Sequence, residues 1–436
     1  NQRNNKSHMR QIKNKKFENI DLVIVNFYPF ENTLEKTKNR SEIIGKIDIG
    51  GPTMVRAAAK NYNDVTVITS TKQYSELIDQ LKTNRGSTSL SFRQKMSQLA
   101  FEETAYYDSI ISNYLNSNSQ LHFPQKKIFH GNLIEKLRYG ENPHQEGAIY
   151  SQSKKLKINK LHGKQLSYNN YNDIFSALRI TKTLPKNTGT VIVKHANPCG
   201  ASILKNGLDS YKAALACDPI SAFGGIVSCN FKIKKNLALD LKKMFLEVII
   251  CNGIESNALK ILKKKKNLRI IDASNLNNKS LNNISSQFNS FLVQTTDISS
   301  FVKSNFKVVS KIKPSSKTLK NLIFAFNVCR FVKSNAIVIA NKDTTIGIGS
   351  GQPSRLDSCE IAINKMKKFY KEEKDGEIIA ASDAFFPFVD GIEKLVQSGV
   401  SAVIQPSGSL NDKEIIKFAN KTNTVLVFSK TRHFKH

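Results

Sequence analysis

EIIAASDAFFPFVDGIEKLVQSGVSAVIQPSGSLNDKEIIKFANKTNTVLVF, residues 377–428, decides the fold class. Apolar β-rich runs at 377–381, 402–404 and 424–428 read as strands, and the segments 390–398 and 412–421 between them read as helices. Connections this short imply right-handed crossovers within one sheet, hence α/β. Working outward, a block begins near Pro314, with a helix over Ser316–Lys333 and strands at Ala336–Ala340 and Thr345–Ile348 around the turn Asn341-Lys342-Asp343. Further back, strands are expected near 147–150, 189–193, 225–229 and 247–251, with amphipathic helices between them. The first part shows the same β/α alternation, with a strand over 20–27, a helix beginning at Pro52, a strand at Val65–Thr69 and helices across Ser75–Ala105. Pro52 suits a first-turn position because its missing N–H is not needed there. The polar stretch Asn116–Asn132 places a domain boundary near residue 128, and no fixed-period repeat is visible.

At 436 residues the chain is too long for one ordinary core, and 40% hydrophobic with 23% charged residues is a soluble globular composition. No run approaches the roughly 18 apolar residues of a membrane span, and Asn1–Lys16 carries no apolar core of a secretory signal. The six cysteines never fall at CxxC spacing, which argues against a zinc site or a disulfide framework and for a reducing cytoplasm. The net charge of +31 raises nucleic acid as a partner. Its lysines are spread along the chain, however, and the run Lys263–Lys266 lies in an Asn/Lys/Ser-rich region reaching about Ser286 that reads as a solvated insertion or a helix end. No nucleic-acid-binding pattern accompanies it, so no nucleic-acid partner is expected.

Lys194 and His195 follow the apolar run Val191-Ile192-Val193, where Asn197-Pro198-Cys199-Gly200 is expected to turn the chain out of its strand. A base beside a fixed cation suits proton removal from a poor nucleophile while an oxyanion develops. An isolated pair of this kind is more often a surface lysine beside a capping histidine, and the surrounding motifs decide. Ile346-Gly347-Ile348-Gly349-Ser350-Gly351 is G-x-G-x-G with no following acidic residue in a second βαβ strand, so no dinucleotide site is read. Its glycines would let backbone approach a ligand, and Arg355 would clamp an anion or carboxamide. Arg138-Tyr139-Gly140-Glu141-Asn142-Pro143-His144 packs cation, ring and imidazole around a turn. Phe223 in DPISAFGG and Phe385 in SDAFFPF stand in turns after apolar segments, as if to stack on a flat ring ligand. Arg56 and Lys60, four apart on one helix face, would join free N–H groups at Gly50, Gly51 and Thr53 in holding a phosphate.

Taken together, VNFYPF (25–30), IDIGGPTMVRAAAKN (47–61), LRYGENPHQ (137–145), LSYNN (166–170), IVKHANPCG (192–200), DPISAFGGIV (218–227), FVKSNAIV (331–338), TIGIGSGQPSR (345–355), SDAFFPFVDGI (382–392), VIQPSGS (403–409) and TRHFKH (431–436) resemble one family. It is that of the bifunctional purine biosynthesis proteins, AICAR transformylase joined to IMP cyclohydrolase. The resemblance implies formyl transfer from 10-formyltetrahydrofolate to the 5-amino group of AICAR, then closure of formyl-AICAR to IMP with loss of water. It implies His195 as the base, Lys194 at the developing oxyanion or the departing folate nitrogen, and Tyr28, Asp48 and Lys60 in the cyclohydrolase. Arg138, Tyr139, Asn170, Asn335, Arg355 and Phe385 would hold the nucleotide and the formyl group, with Arg432 and Phe434 nearby. Phe223, Asp390 and Glu247 match positions lining the site.

The implied fold is an incomplete parallel-sheet, methylglyoxal-synthase-like cyclohydrolase domain over 1–128. A transformylase follows over 129–436, as two cytidine-deaminase-like α/β/α units at about 129–310 and 311–436. A cytoplasmic homodimer with its transformylase sites at the subunit interface is implied. No membrane association, no zinc and no other metal ligand set is implied; a structural monovalent cation is left open. The sequence opens well inside the family's cyclohydrolase domain, without its Ser-Asp-Lys turn or its Gly-Gly-Thr phosphate loop. Either it is a piece of a longer protein, which is the expectation, or the cyclohydrolase is lost and a monofunctional transformylase remains. Val389 stands where the family usually has Arg.

Overall fold

The computed structural model describes residues 3–117, 123–153, 155–276, 282–299, 301, 303–371 and 376–436. Parts of the polar stretch before residue 132 and of the insertion before Ser286 thus lie outside the described residues. The chain divides into two compact units, Asn1–Asn132 with Tyr150–Lys154, and Leu133–Ile149 with Lys155–His436.

In the first unit the strand Leu22–Ile24 pairs in parallel with Thr66–Ile68. The helices Gly50–Lys60, Tyr74–Thr83 and Leu90–Ser117 accompany this pair, and Val55, Ala59, Ile68, Met96 and Ala100 form the core between them. The first strand is shorter than the apolar run 20–27. Val25 still donates to the Ile68 carbonyl at 3.0 Å, after which the chain turns at Tyr28-Pro29. The helix expected from Pro52 starts two residues earlier, because the Asp48 carboxylate accepts the Gly51 N–H at 2.8 Å and caps the turn.

The second unit holds a sheet of twelve strands among the described residues. In chain order they are β1 (Asn159–His162), β2 (Thr190–Lys194), β3 (Asn197–Ser202), β4 (Ile226–Cys229), β5 (Val248–Cys251), β6 (Arg269–Asp272), β7 (Phe306–Val308), β8 (Ile337–Asn341), β9 (Thr344–Gly349), β10 (Ile379–Ser382), β11 (Ala402–Pro406) and β12 (Val425–Ser429). Across the sheet the order is 7-12-11-10-8-9-3-2-4-5-6-1. Read outward from the centre, each half runs hairpin, three parallel strands, antiparallel edge: 3-2-4-5-6-1 against 9-8-10-11-12-7, with the same parallel and antiparallel pairings. The helices match in kind. Those named below are α1 (Tyr168–Thr181) and α2 (Gly207–Cys217) in the first half, α3 (Ser316–Cys329) and α4 (Arg355–Phe369) in the second.

The two halves of the sheet therefore repeat one topology that no residue repeat betrays. Topology and the alternation of apolar residues recur, whereas the amino acids do not. Both sheet faces are covered, which explains the unbroken apolar runs. Val191 and Val193 face α1 in one core, while Ile192 faces α2 in another. Parallel pairing across helical connections is found for β10-β11-β12, as expected, and recurs in β4-β5-β6. Two elements differ from expectation. Asn197-Pro198 does not leave the sheet but opens β3, paired back on β2 with a register shift at Ile192/Val193. The strand near 147–150, Gly147–Ser151, lies outside the large sheet.

The glycines of IGIGSG also serve another purpose than the one expected. A Cβ on Gly349 would stand 1.9 Å from the Ser358 carbonyl oxygen, and one on Gly347 would stand 2.3 Å from that of Ala362. They let α4 lie directly on β9, as Gly200 lets α2 lie on β3, where a Cβ would meet the Ala214 carbonyl oxygen at 2.0 Å. Because the obstacle is backbone, Gly349→Ala should destabilise the unit by about 1–3 kcal/mol, towards the upper end. A chemical denaturation series reads this as a lowered midpoint; an unchanged midpoint would show that α4 can shift away at no cost.

Candidate active site

His195 and Ala196 are the two turn residues between β2 and β3, with φ of 52° and 58°. Positive φ at both positions is the geometry of the tightest hairpin turns, normally filled by Asn-Gly. For residues with a Cβ it costs on the order of 1–2 kcal/mol each, so something must hold it. Asp173, on α1, does so: its carboxylate accepts the Ala196 N–H at 2.6 Å and the His195 N–H at 3.3 Å. Burial raises the Asp173 pKa above the ordinary carboxylate value, and the two N–H groups and His195 oppose that rise. Lys194 extends from the strand end, and its Nζ donates to the Phe223 carbonyl at 2.8 Å. His195 is exposed at the turn tip, free to meet a substrate.

Five further expected residues belong to the first half. α1 begins with a capping box in which Ser167 accepts the Asn170 N–H and Asn170 Oδ1 accepts the Ser167 N–H. The Asn170 amide nitrogen then donates to Glu247 at 2.6 Å, and Arg269 lies 3.6 Å from that carboxylate. The Arg138 guanidinium covers the Tyr139 ring at 4.9 Å. Their loop is tied to α1 by Asn169, which donates to the Glu141 carbonyl at 3.1 Å. Phe223 is 57% exposed and tilts against Phe245 at 5.3 Å, so its ring is available in the turn as expected.

In the second half Asn335, Arg355, Phe385, Asp390, Arg432 and Phe434 line one cavity of about 460 Å³. Phe388, 63% exposed, sits at its rim, whereas Phe386 is 1% exposed and plugs the core beneath. Arg355 is anchored from below. It pairs with the fully buried Asp383 and donates to Ser382 Oγ at 2.8 Å and to Asn335 Oδ1 at 2.7 Å. Ser334 Oγ donates to the other Asp383 oxygen at 2.5 Å. Arg355 is thus a rigid wall of the cavity, held by a buried ion pair. The two groups of residues are joined through backbone: the Lys333 N–H donates to Asn197 Oδ1 at 3.0 Å, and the Lys333 carbonyl accepts the Gly351 N–H at 2.7 Å. Gly351 has φ +70°, the one glycine of IGIGSG that needs its conformational freedom.

In the first unit Asp48 accepts N–H groups from Tyr28 at 3.2 Å and Gly51 at 2.8 Å, and its own N–H donates to the Tyr107 hydroxyl at 2.8 Å. Lys60 ends the helix that Asp48 begins, about 15 Å along its axis. The expected phosphate cradle is not assembled: the Gly51 and Thr53 N–H groups are taken by Asp48 and Ile49, and Arg56 lies over the Phe101 ring at 5.5 Å. Sequence reasoning also missed Asp173 and Asp383. Asp173 is three residues after Asn170 on α1, so the two share a face, and that spacing was the available signal. Asp383 lies within SDAFFPF, where the aromatic rings drew the reading. Among the described residues no three His, Cys, Asp or Glu side chains are placed to share a metal ion.

Arg355→Met leaves Asp383 buried and uncompensated and should cost about 3–5 kcal/mol, read as a fall in denaturant midpoint; a loss under about 1 kcal/mol would mean Asp383 reaches water. For Asp173 the raised native pKa means that, above the ordinary value near 3.9, the folded state holds more proton than the unfolded one. Its contribution to stability therefore declines as pH rises through that window. Asp173→Asn should remove this slope from unfolding curves taken between about pH 4 and 7; an unaltered slope would assign it to other groups.

A family model described as the AICARFT/IMPCHase bienzyme matches residues 58–365. The bifunctional purine biosynthesis protein PurH of Bradyrhizobium diazoefficiens is 41% identical over 447 residues, which take in all of this chain and 84% of that protein. The PurH proteins of Persephonella marina and Acetivibrio thermocellus are 42% and 40% identical, again across the whole chain and 85% of theirs. At this identity and coverage the chain belongs to the AICARFT/IMPCHase bienzyme family.

Proposed function

We propose that this chain is a purine biosynthesis enzyme that formylates AICAR from 10-formyltetrahydrofolate and cyclises formyl-AICAR to IMP. The observation that carries the reading is the Asp173-held turn, which presents an exposed imidazole beside an ammonium at the strand ends where the Arg355 and Phe385 cavity also opens. In formyl transfer the aromatic amine attacks the formyl carbon, the new N–C bond forms as the bond from that carbon to the folate nitrogen breaks, and the amine proton leaves. An aryl amine is a poor nucleophile, so proton removal is where a positioned base gains most. His195 is that base. Lys194 balances the charge that gathers on the formyl oxygen, and a proton returns to the folate nitrogen. Aromatic rings and the fixed Arg355 hold the flat nucleotide base and its carboxamide; Arg432 supplies positive charge at the cavity edge. Asn170, Glu247, Arg138, Tyr139 and Phe223 form the adjoining wall.

For ring closure the carboxamide nitrogen attacks the formyl carbon and water departs. Tyr28, Asp48 and Lys60 are assigned to this step by their match to the family's positions. The finer architecture is read the same way. The two matching halves of the sheet support a pair of cytidine-deaminase-like units, and the parallel pair of the first unit supports a methylglyoxal-synthase-like domain. A homodimer with shared transformylase sites is carried by the resemblance. All six cysteines are free and buried, which supports a reducing cytoplasm, and among the described residues no helix is long and apolar enough to cross a membrane.

The test is chromatographic: the chain is mixed with AICAR and 10-formyltetrahydrofolate and its products are identified. Formyl-AICAR or IMP is expected, and no product from the wild type would overturn the reading. His195→Ala should lower formyl transfer by roughly 10²–10⁴-fold while nucleotide binding stays largely intact. Retained turnover would remove His195 from the base role. Binding of polynucleotides that weakens steeply with salt, without turnover, would instead favour the charge-only reading.

A further inference from the structure

Residues 431–436 alternate in what they face. Arg432 and Phe434 border the cavity, with the guanidinium 4.4 Å above the ring. His433 between them is 2% exposed. Its Nδ1 bonds Asp297 at 2.5 Å, its Nε2 bonds Thr431 Oγ1 at 3.0 Å, and its ring meets Phe301 and Phe326 edge-on. Lys435 also turns inward. Its Nζ donates to the Ala196 carbonyl at 2.9 Å and to the Phe331 carbonyl at 2.8 Å. Its backbone exchanges hydrogen bonds with Ser334: N–H to Oγ at 3.2 Å, and carbonyl from the Ser334 N–H at 2.9 Å. Ala196 is the second residue of the turn that carries His195, and Asp173 holds its N–H side. The strained turn is therefore gripped by an anion at its amide and a cation at its carbonyl.

The site of Lys435 is a costly place for an ammonium. Burial lowers its pKa from 10.5 to about 8; Arg179 and Lys333 push the same way, and only Asp173 opposes them. Two carbonyl acceptors on separate segments account for a lysine there, since one ammonium reaches both with donors to spare. We infer that Lys435 is a positioning residue for formyl transfer, fixing the Ala196 peptide to the Phe331 peptide so that the His195 imidazole stays aimed at the amine. The inference rests on His195 acting as the base in that reaction. Without the tie, the turn loses its carbonyl anchor and relaxes from positive φ, and displacements of about 1 Å at a reacting group cost up to roughly 100-fold in rate. Nucleotide contacts made by Arg355 and Phe385 lie elsewhere and are not expected to change.

Lys435→Met should lower kcat for formyl transfer roughly 10- to 100-fold with KM for AICAR within about two-fold, and Lys435→Arg should recover most of the loss. Hydrogen exchange read by mass spectrometry over residues 190–202 should quicken in Lys435→Met and stay near wild type in Lys435→Arg. Should the Met variant not fold, Lys435→Gln, which cannot span both carbonyls, carries the same expectation. An unchanged kcat in a folded variant overturns the inference, as does a raised KM with normal kcat, which would make Lys435 part of nucleotide binding only. If the wild type transfers no formyl group, the functional reading fails on its own, and exchange still decides the tie. Equal protection in wild type and Lys435→Met would overturn it.

Discussion

A seam of buried hydroxyls at the middle of the large sheet holds the second unit together. Where β3 meets β9, Thr345 Oγ1 accepts the Ala201 N–H at 2.8 Å and donates to the Ala201 carbonyl, the Ser202 and Thr344 hydroxyls meet at 2.9 Å, and the Ile203 N–H reaches the Asp343 carbonyl at 2.9 Å. Only one residue pair, Thr344 with Ser202, is in ladder register there. Side chains thus replace much of the backbone pairing that would otherwise join the halves. A buried polar group left without its partner is costly, so the seam fixes the offset between the two hairpins. That offset places the end of β2 beside the end of β9, and the position of the His195 turn relative to the Arg355 cavity depends on it.

One side-chain difference at matching positions leaves one half open and the other closed. Asn230 follows β4 as Asp383 follows β10, and each donates its N–H to the carbonyl just before the hairpin's first strand, Gly189 at 3.0 Å and Ala336 at 3.3 Å. The backbone is the same; one side-chain atom differs in kind. Asn230 donates to the carbonyls of Thr181, Leu184 and Pro185, and ties the approach to β2 shut. Asp383 is a carboxylate and takes Arg355 and Ser334, which leaves a cation-walled cavity beside it. In the hairpins the roles are reversed: the first carries His195 and Ala196 at the turn, and the second carries Lys342 and Asp343 at φ 44° and 64°. Each half thus carries one specialised feature, the His195 turn in the first and the Arg355 cavity in the second.

The sequence announced those elements whose residues all serve one purpose. Strands β10 to β12 were legible because both faces are buried and their loops are short. The strand β3 was hidden because Asn197-Pro198-Cys199-Gly200 has the composition of a turn, and its glycine is demanded by helix contact. The first hairpin was hidden because its turn residues, His195-Ala196, are a poor choice held by a distant partner, whereas the second was legible in the turn Asn341-Lys342-Asp343 between two apolar runs. At the site, Lys194, His195, Arg355 and Phe385 carried their own signals of charge, base and exposed ring. Asp383 and Lys435 carried none and Asp173 only its spacing from Asn170, since what matters in each is a contact made across the fold. The phosphate cradle at Gly50–Lys60 failed for a related reason: the Asp48 carboxylate takes the Gly51 N–H and the Ile49 carbonyl takes that of Thr53.

The clamp on the His195 turn joins parts of the chain that are near and far in sequence, and this orders its assembly in time. The β2–β3 hairpin is local, the kind of element that forms in about 1–10 μs. Asp173 lies 22 residues from His195, whereas Lys435 reaches Ala196 across 239 residues. Closing so long a loop awaits the sheet between its ends, because its entropy must be recovered by contacts made there. The turn therefore exists well before it is braced on both sides, and its final geometry is among the last features this chain completes as it folds.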